Sequence, residues 1–422
     1  MSEKMNITSS TYAAALLTLP WDKPLERWPE ELIVALPRGI SRHVVRFVGL
    51  DRGVVAVKEI GVRTVHHEHR MLRELQRLGA PSVTPVAVIT GRKPSDPADG
   101  ELTAALVTDH LAYSLPYRAI FSGEMSRVEA EKLIQALAVL LVRLHLLNFY
   151  WGDVSLSNTL FRRDAETYSA YLVDAETGDF QPSLTESRRL YDLDIARVNI
   201  IGELMDLQAG GYMNHDIDVI ELGNLVEHSY LDLWHELTDE EAIQATESWK
   251  VNERIERLNH LGFDVGELSV SRDSHGDRIT IRPVVVEPGH HHRKLLELTG
   301  LNVEEHQARR LLNAIQAYRA VRYEGHVPLE QAAHAWMTEE YETTMAVVPP
   351  EYLAKLEPAQ LFHEIVDHRW FLSKERSEYV ALADAAQSYV TNVLPLHRDE
   401  ARWFREPRPA AASDGGAEEP GV

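Results

Sequence analysis

Four side chains in the first half of this chain are of the types that phosphoryl transfer requires: Lys58, Asp153, Asn158 and Asp174. That reaction asks little covalent chemistry of a protein. It asks for bound metal ions, a positioned nucleophile and neutralised phosphate charge. Lys58 closes the apolar run Val54-Val55-Ala56-Val57, and a lysine ending such a strand can reach the phosphates of a nucleotide. Glu68 follows early in a helical run, where a carboxylate can pair with the lysine and hold it extended. Glu74 is the rival, but it faces away from Glu68 on a helix. Glu68 is preferred because Leu72 and Leu75 then continue an apolar stripe one turn along.

Asp153 and Asn158 frame the segment Gly152-Asp153-Val154-Ser155-Leu156-Ser157-Asn158. At that spacing an Asp can accept or orient a hydroxyl proton while the Asn binds a metal ion. The pair follows Leu144-His145 at the end of a long helical run and precedes the strand-like Thr159-Leu160-Phe161. Asp174 ends the apolar run Ala170-Tyr171-Leu172-Val173, in position to be a second metal-binding carboxylate. Glu176 beside it either adds a metal contact or is a solvated loop acid.

The elements needed to position these residues are legible from periodicity. A polar lead over residues 1–30 carries one short helix around Tyr12–Leu19. Strands are expected at Leu32–Leu36, Val44–Val48 and Val54–Ile60, the last two joined by the hairpin link Leu50-Asp51-Arg52-Gly53. A helix over Val65–Leu78 stops at Gly79-Ala80-Pro81, and strands follow at Val86–Ile89 and Leu102–Val107. The chain then turns helical: Arg127–Leu147 opened by Ser126, Arg188–Leu207 and Asp216–Leu237. Residues 31–115 thus read as a small mixed β lobe and 116–237 as a helical lobe.

A composition shift near Thr238 marks a further, mostly helical region over residues 238–406. It is expected to hold a helix at Glu240–Leu261, a hairpin pairing Glu267–Val270 with Thr280–Val286 around Ser274-His275-Gly276-Asp277, and helices at Val303–Tyr323, Pro328–Ala346, Pro358–Val366 and Lys374–Leu394. Trp370 and Phe371 are expected to anchor it in a core. Residues 407–422, rich in Pro, Ala, Gly and acid, read as a disordered tail.

Composition removes whole classes of function. The chain has 422 residues, 44% hydrophobic and 26% charged, with 43 Lys plus Arg against 65 Asp plus Glu and a net charge of −22. Such a surface repels nucleic acid and anionic lipid. With no cysteine, disulfides, thiolate zinc sites and Cys nucleophiles are excluded. No apolar run approaches the roughly 18 residues of a membrane helix, and residues 1–10 do not read as a signal peptide. A cytoplasmic protein is the expectation.

With these residues in order, the sequence resembles the protein-kinase-like superfamily, and looks closest to bacterial lipopolysaccharide-kinase-like proteins joined to a C-terminal domain of unknown function. The kinase resemblance covers about Glu31–Leu237. Pro288-Gly289-His290-His291, Gln307-Ala308-Arg309-Arg310-Leu311-Leu312 and His368-Arg369-Trp370 look like the appended domain. The resemblance implies an α+β bilobal fold binding ATP and Mg between its lobes, with an additional helical domain. It implies Lys58 as the phosphate lysine, Glu68 as its partner, Asp153 as the catalytic Asp, and Asn158 and Asp174 as metal ligands. Thr108, Asp109, His110 and Leu111 would form the hinge beside adenine.

Three features depart from that pattern. Pro37-Arg38-Gly39-Ile40-Ser41-Arg42 offers one glycine where a phosphate-cradling loop has three. Backbone amides at Gly39 and Ser41 can still face phosphates there, and Arg38 or Arg42 can add charge. Trp151 stands where many relatives carry a His, a change of packing more than chemistry. No activation segment of the regulated protein kinases is present. The expected activity is phosphoryl transfer to a hydroxyl of a small molecule, sugar or lipid-linked glycan. The alternatives are a pseudokinase-like module that reads nucleotide or a protein partner without turnover, and nucleotidyl transfer on the same residues. A protein partner could bind through the C-terminal domain.

Two histidine groups have simpler readings than metal sites. His290-His291-His292 reads as a polar loop or helix start. His363 and His368 are five residues apart and point in different directions on a helix, whereas shared metal binding needs i, i+4.

Overall fold

The computed structural model describes residues 4–9, 11–36, 43–50, 53–121, 125–244, 249–272 and 278–397. Its first part contains β1 (Asn6–Ser9), α1 (Ala13–Leu17), β2 (Val45–Leu50), β3 (Gly53–Ile60), α2 (Val62–Arg77), β4 (Pro85–Thr90) and β5 (Ala104–Asp109). The strands form one antiparallel sheet in the order β1-β4-β5-β3-β2. Side chains alternate faces along a strand, and here both faces are buried. Ile60, Val88, Ala104 and Leu106 pack with Val65, Met71, Leu72 and Leu75 of α2. Val55, Val57, Ala87, Ile89, Ala105 and Val107 pack instead with Leu16, Leu19, Trp21, Leu25 and Trp28. Lys58 shares its face with Ile60, and that parity turns it toward α2.

The opening residues are therefore not a polar lead. Asn6–Ser9 pairs with Ser9 opposite Ala87 through Asn6 opposite Thr90, and residues 11–30 cover the sheet's second face. Trp21 and Trp28 meet edge to face at 5.1 Å. Their indole N–H groups donate to the carbonyls of Leu16 and Lys23 at 2.6 and 3.1 Å. Arg92, fully buried, donates to Glu59 at 2.7 Å and to the carbonyls of Trp21, Thr103 and Lys23. Trp21, Leu25 and Trp28 recur at i, i+4 and i+7, but Pro20, Pro24 and Pro29 break any continuous helix, so the pattern does not by itself announce a core face. Leu32–Leu36 is likewise no full strand: Glu30–Leu32 is a 3-10 turn and Ile33 makes a single bridge to Val48. Asp51 and Arg52 of the hairpin link lie outside the described residues, although Leu50 pairs with Gly53.

The second part holds β6 (Ser114–Pro116), α3 (Tyr117–Phe121), α4 (Arg127–Leu146), β7 (Phe149–Tyr150), β8 (Thr159–Asp164), β9 (Thr167–Leu172), β10 (Asp179–Phe180), α5 (Glu186–Ala209) and α6 (Val219–Thr238). Ser126 and Glu129 form a reciprocal capping box that starts α4. Leu133, Leu137, Leu140, Leu141 and Leu144 of α4 are buried in one core with α5, α6 and the β8–β9 hairpin.

The third part comprises β11 (Glu241–Gln244), α7 (Trp249–His260), β12 (Phe263–Arg272), β13 (Arg278–Pro288), α8 (His290–Thr299), α9 (Glu305–Tyr323), α10 (Leu329–Trp336), a π-helical turn Met337–Tyr341, α11 (Glu342–Met345), α12 (Pro358–Arg376) and α13 (Leu382–Asn392). The expected helix at Glu240–Leu261 is in part a strand, because Glu241–Gln244 pairs with β13 at the edge of a sheet ordered β11-β13-β12; a tertiary partner overrides local propensity there. The turn Ser274–Asp277 lies outside the described residues, as does the segment 407–422. The helix expected at Pro358–Val366 runs on to Arg376 and ends where Ser377 takes a left-handed conformation, φ 54°. Trp370 and Phe371 do not anchor a core; they are 58% and 65% exposed, on the outer side of α12. His290–His292 does begin a helix. His363 and His368 turn to separate partners, Asp367 and Ser388.

The helical part docks on β8 and β9. Asp164, fully buried, accepts from the backbone N–H groups of His306 and Gln307 at 3.1 and 2.7 Å, satisfying donors that the first turn of α9 leaves open. Gln307 also donates to the carbonyl of Arg163 and to the side chain of Gln360. The molecule is thus α+β and bilobal in its first two parts, with a mostly helical part added.

Candidate active site

Lys58 is the centre of a tight ionic cluster between the two lobes. Its Nζ lies 3.2 and 3.1 Å from the two carboxylate oxygens of Glu68, 2.7 Å from Asp174 and 3.8 Å from Glu176. Glu176 also meets His43 at 3.1 Å and donates its backbone N–H to Asp174 at 3.0 Å. Glu74 instead pairs with Arg77 on the exposed side of α2, so the structure selects Glu68 between the two acids. Burial opposes the charge on Lys58, but Glu68, Asp174 and Glu176 outweigh it and raise its pKa. Burial and the Asp174 charge push Glu68 up to about 8, against the pull of Lys58. Carboxylate oxygens of Glu68, Asp174 and Glu176 lie within 4.8 Å of one another. Three acid side chains crowd one ammonium, and the mutual repulsion that lifts Glu68 is of the kind a divalent cation with oxygen ligands would relieve. The donor set therefore fits a hard cation.

Across the cleft, Asn158 donates its side-chain amide to both the backbone carbonyl and the carboxylate of Asp153 at 3.0 Å. The loop carrying them is built from below by α5. Asp192, fully buried, accepts from the backbone N–H of Trp151 at 2.8 Å and of Gly152 at 2.7 Å. Glu203 accepts from Leu156 and Ser157 at 2.8 and 2.9 Å, and Asn199 donates to the carbonyl of Val154 at 3.0 Å. These three residues share a helical face with the buried Ala196 and Ile200. Sequence reasoning missed them; the signal was there, as polar residues interrupting the apolar stripe of α5. Burial raises the pKa of Glu203, against the hydrogen bonds from Ser157 and Leu156 that favour its charge.

Gly152 has φ 78°, and a Cβ there would sit 3.0 Å from the Tyr150 ring and 3.3 Å from the Thr177 carbonyl. Only glycine makes this turn into Asp153 without strain. Trp151, fully buried, donates its indole N–H to the Asp174 carbonyl at 2.9 Å. Trp151 thus ties the Asp153 loop to the Asp174 loop.

His145 completes the support. Its Nε2 faces Asp192 at 3.2 Å and its Nδ1 faces the Tyr230 hydroxyl at 2.7 Å. Because an ionised carboxylate only accepts, Nε2 carries the proton and Nδ1 accepts from Tyr230. Burial lowers the His145 pKa, partly offset by Asp192. The unfolded chain takes up a proton at this residue near pH 6.5, about the ordinary value, where the folded one does not. Its stabilising contribution is intact above that pH and fades below it. The stability gap between wild type and His145→Gln in urea titrations should therefore narrow from pH 7.5 to pH 5.5; a gap that widens refutes the assignment.

The cleft has a volume of about 450 Å³, with Ala56, Val83, Leu160 and Val173 among its apolar lining and Lys58, Asn158 and Asp174 at its polar end. Thr108, Asp109, His110 and Leu111 line it as well, connecting β5 to the second lobe. His110 packs edge to face on Phe47 at 5.5 Å, and burial with the Arg162 charge lowers its pKa to about 4, so the ring is neutral at physiological pH. Arg38, Gly39, Ser41 and Arg42 lie outside the described residues.

A bilobal architecture with a lysine–carboxylate pair facing an Asp–Asn loop defines a kinase-like class. Residues 48–198 match the model of the lipopolysaccharide kinase (Kdo/WaaP) family, and residues 232–394 match that of a domain of unknown function, DUF4032. The chain thus joins a region similar to Kdo/WaaP lipopolysaccharide kinases to a C-terminal domain of unknown function. Among solved structures it is similar to a WaaP in complex with acyl carrier protein, at 16% identity and a TM-score of 0.36, over 61% of this chain and 98% of that one. No curated protein matches the chain. The activity class indicated by the Kdo/WaaP family match is kinase-like phosphotransfer. Among the described residues no helix is long and apolar enough to cross a membrane.

Proposed function

We propose that this protein is an ATP- and Mg-dependent phosphotransferase acting on a hydroxyl of a small molecule, sugar or lipid-linked glycan. The observation that carries the reading is the convergence of Lys58, Glu68 and Asp174 at one end of an apolar-walled cleft, with the Asp153–Asn158 pair held across from them. Adenine would lie against the apolar walls beside Thr108–Leu111. Lys58, held extended by Glu68, would neutralise phosphate charge. Asp174 and Asn158 would hold the metal, with Glu176 close enough to Asp174 to share it, and the metal would offset charge on the phosphate oxygens. Asp153 would orient the acceptor hydroxyl and take its proton. Backbone bonds from α5 keep that loop in place before any substrate arrives, so little reorganisation remains.

Thermal unfolding with ATP and Mg tests the site. The wild type should be stabilised only when both are present, by about 2.7 kcal/mol at a hundredfold excess over Kd, and Asp174→Ala should lose that increment. Equal behaviour of the two proteins would remove the cleft as a metal–nucleotide site. Metal-dependent binding without any acceptor product sensitive to Asp153 would favour the pseudokinase-like alternative.

A further inference from the structure

A second cavity, of about 500 Å³, lies where the helical C-terminal part meets the back of the kinase-like part. Its wall takes Pro81 and Ser82 from the turn after α2, Arg143 from α4, Tyr171 from β9, and Pro288 and Arg293 from the C-terminal part. None of the cleft residues proposed for phosphotransfer lines it.

Arg143 is the anomaly. Its Nε is shut off from solvent without a partner, and among the described residues no hydrogen bond or ion pair satisfies its guanidinium. Burial works against its charge more than Tyr171, Glu304 and Glu305 offset it. Arg92 shows what this fold does with a buried guanidinium that is structural: every nitrogen has a carbonyl or carboxylate. An unpaired guanidinium nitrogen is costly to shut away from water, and on a half-buried arginine lining a cavity the rest of the group stays open to a partner from outside the chain.

The neighbouring acids do not fill that role. Glu304 is taken by Arg162 and the Tyr171 hydroxyl. Glu305 accepts from His291 and His292 at the start of α8, and Glu357 caps α12. With Arg143, the residues Arg162, Arg163 and Arg293 stand in the same wall against Glu304, Glu305 and Glu357, a slight cationic excess on a chain of net charge −22. The volume suits a metabolite-sized ligand rather than a lone ion, and a guanidinium fork matches the oxygens of a phosphate or carboxylate.

We propose that this interdomain cavity is a ligand site for a small oxyanion-bearing molecule, a phosphate or carboxylate ester or acid, bound through Arg143. Its occupant touches the turn after α2, the helix that carries Glu68, and also the C-terminal part. The site is therefore placed to couple the state of the added domain to the Lys58–Glu68 pair.

The test uses the full chain with inorganic phosphate and citrate as probes at millimolar concentration. Wild type should gain about 2–4 °C in Tm with at least one of them, phosphate or citrate identifying the preferred oxyanion. Lys58→Met, altered only in the nucleotide cleft, should keep the gain. Arg143→Met should lose it, while being no less stable than wild type without anion, because no internal partner is lost. A gain that survives in Arg143→Met, no gain in wild type, or a gain abolished only by Lys58→Met overturns the site. Should Arg143→Met fail to fold, wild-type crystals soaked in tungstate decide the matter. An anomalous peak within hydrogen-bond reach of the Arg143 guanidinium sustains the site, and peaks confined elsewhere refute it.

Discussion

Asp153→Asn is expected to lower kcat by about 10²–10⁴-fold, the range that a positioned general base contributes, while leaving metal-dependent ATP binding intact. The substitution preserves shape and keeps an oxygen for the Asn158 amide, which now meets the carboxylate at 3.0 Å. What it removes is the capacity to take a proton from the acceptor hydroxyl. The cleft walls, Lys58 and Asp174 are untouched, so stabilisation by ATP and Mg should match wild type. The two readouts separate the role from a structural one. If turnover persists at more than a tenth of wild type, the proton goes elsewhere; if binding is lost with it, Asp153 serves the nucleotide instead.

Asp192→Ala is expected to cost about 3–5 kcal/mol of stability, the scale for removing one member of a buried, hydrogen-bonded charged network. One carboxylate serves three donors: the N–H groups of Trp151 and Gly152 and the Nε2 of His145. Alanine leaves all three buried and unsatisfied, and opens a cavity beneath Trp151. Chemical denaturation would show the loss as a lower midpoint. A drop below about 1 kcal/mol, the net worth of a single ordinary hydrogen bond, would mean that the loop finds other partners. Because Trp151 also donates to the Asp174 carbonyl, nucleotide binding should weaken in the residual folded protein, which does not follow from Asp153→Asn.

Much of the fold was legible because its signals are local. The α2 stripe of Met71, Leu72 and Leu75 and the Ser126–Glu129 cap that starts α4 each lie within about one helical turn, and β3 and β5 follow their apolar runs. The structure pairs Lys58 with Glu68, as expected from residue types and order; the contacts of Lys58 with Asp174 and of Asn158 with Asp153 were not foreseen. The N-terminal stretch was misread because Pro20, Pro24 and Pro29 break its backbone into turns, and Leu16, Trp21, Leu25 and Trp28 become core only by packing on the sheet. Glu241–Gln244 was misread because its strand exists only by pairing with β13.

By itself, the sequence determined the chemical alphabet of the cleft and the order of the elements that carry it, since both depend on residue type and short spacing. The tertiary structure alone decided which residues of α5 hold the Asp153 loop, and that the Nε of Arg143 is shut off without a partner. Asp192 lies forty residues from Gly152 in the chain, and the walls around Arg143 come from three parts of the molecule. Hydrogen bonding and desolvation act through space over a few ångströms. No pattern confined to neighbouring residues can report them.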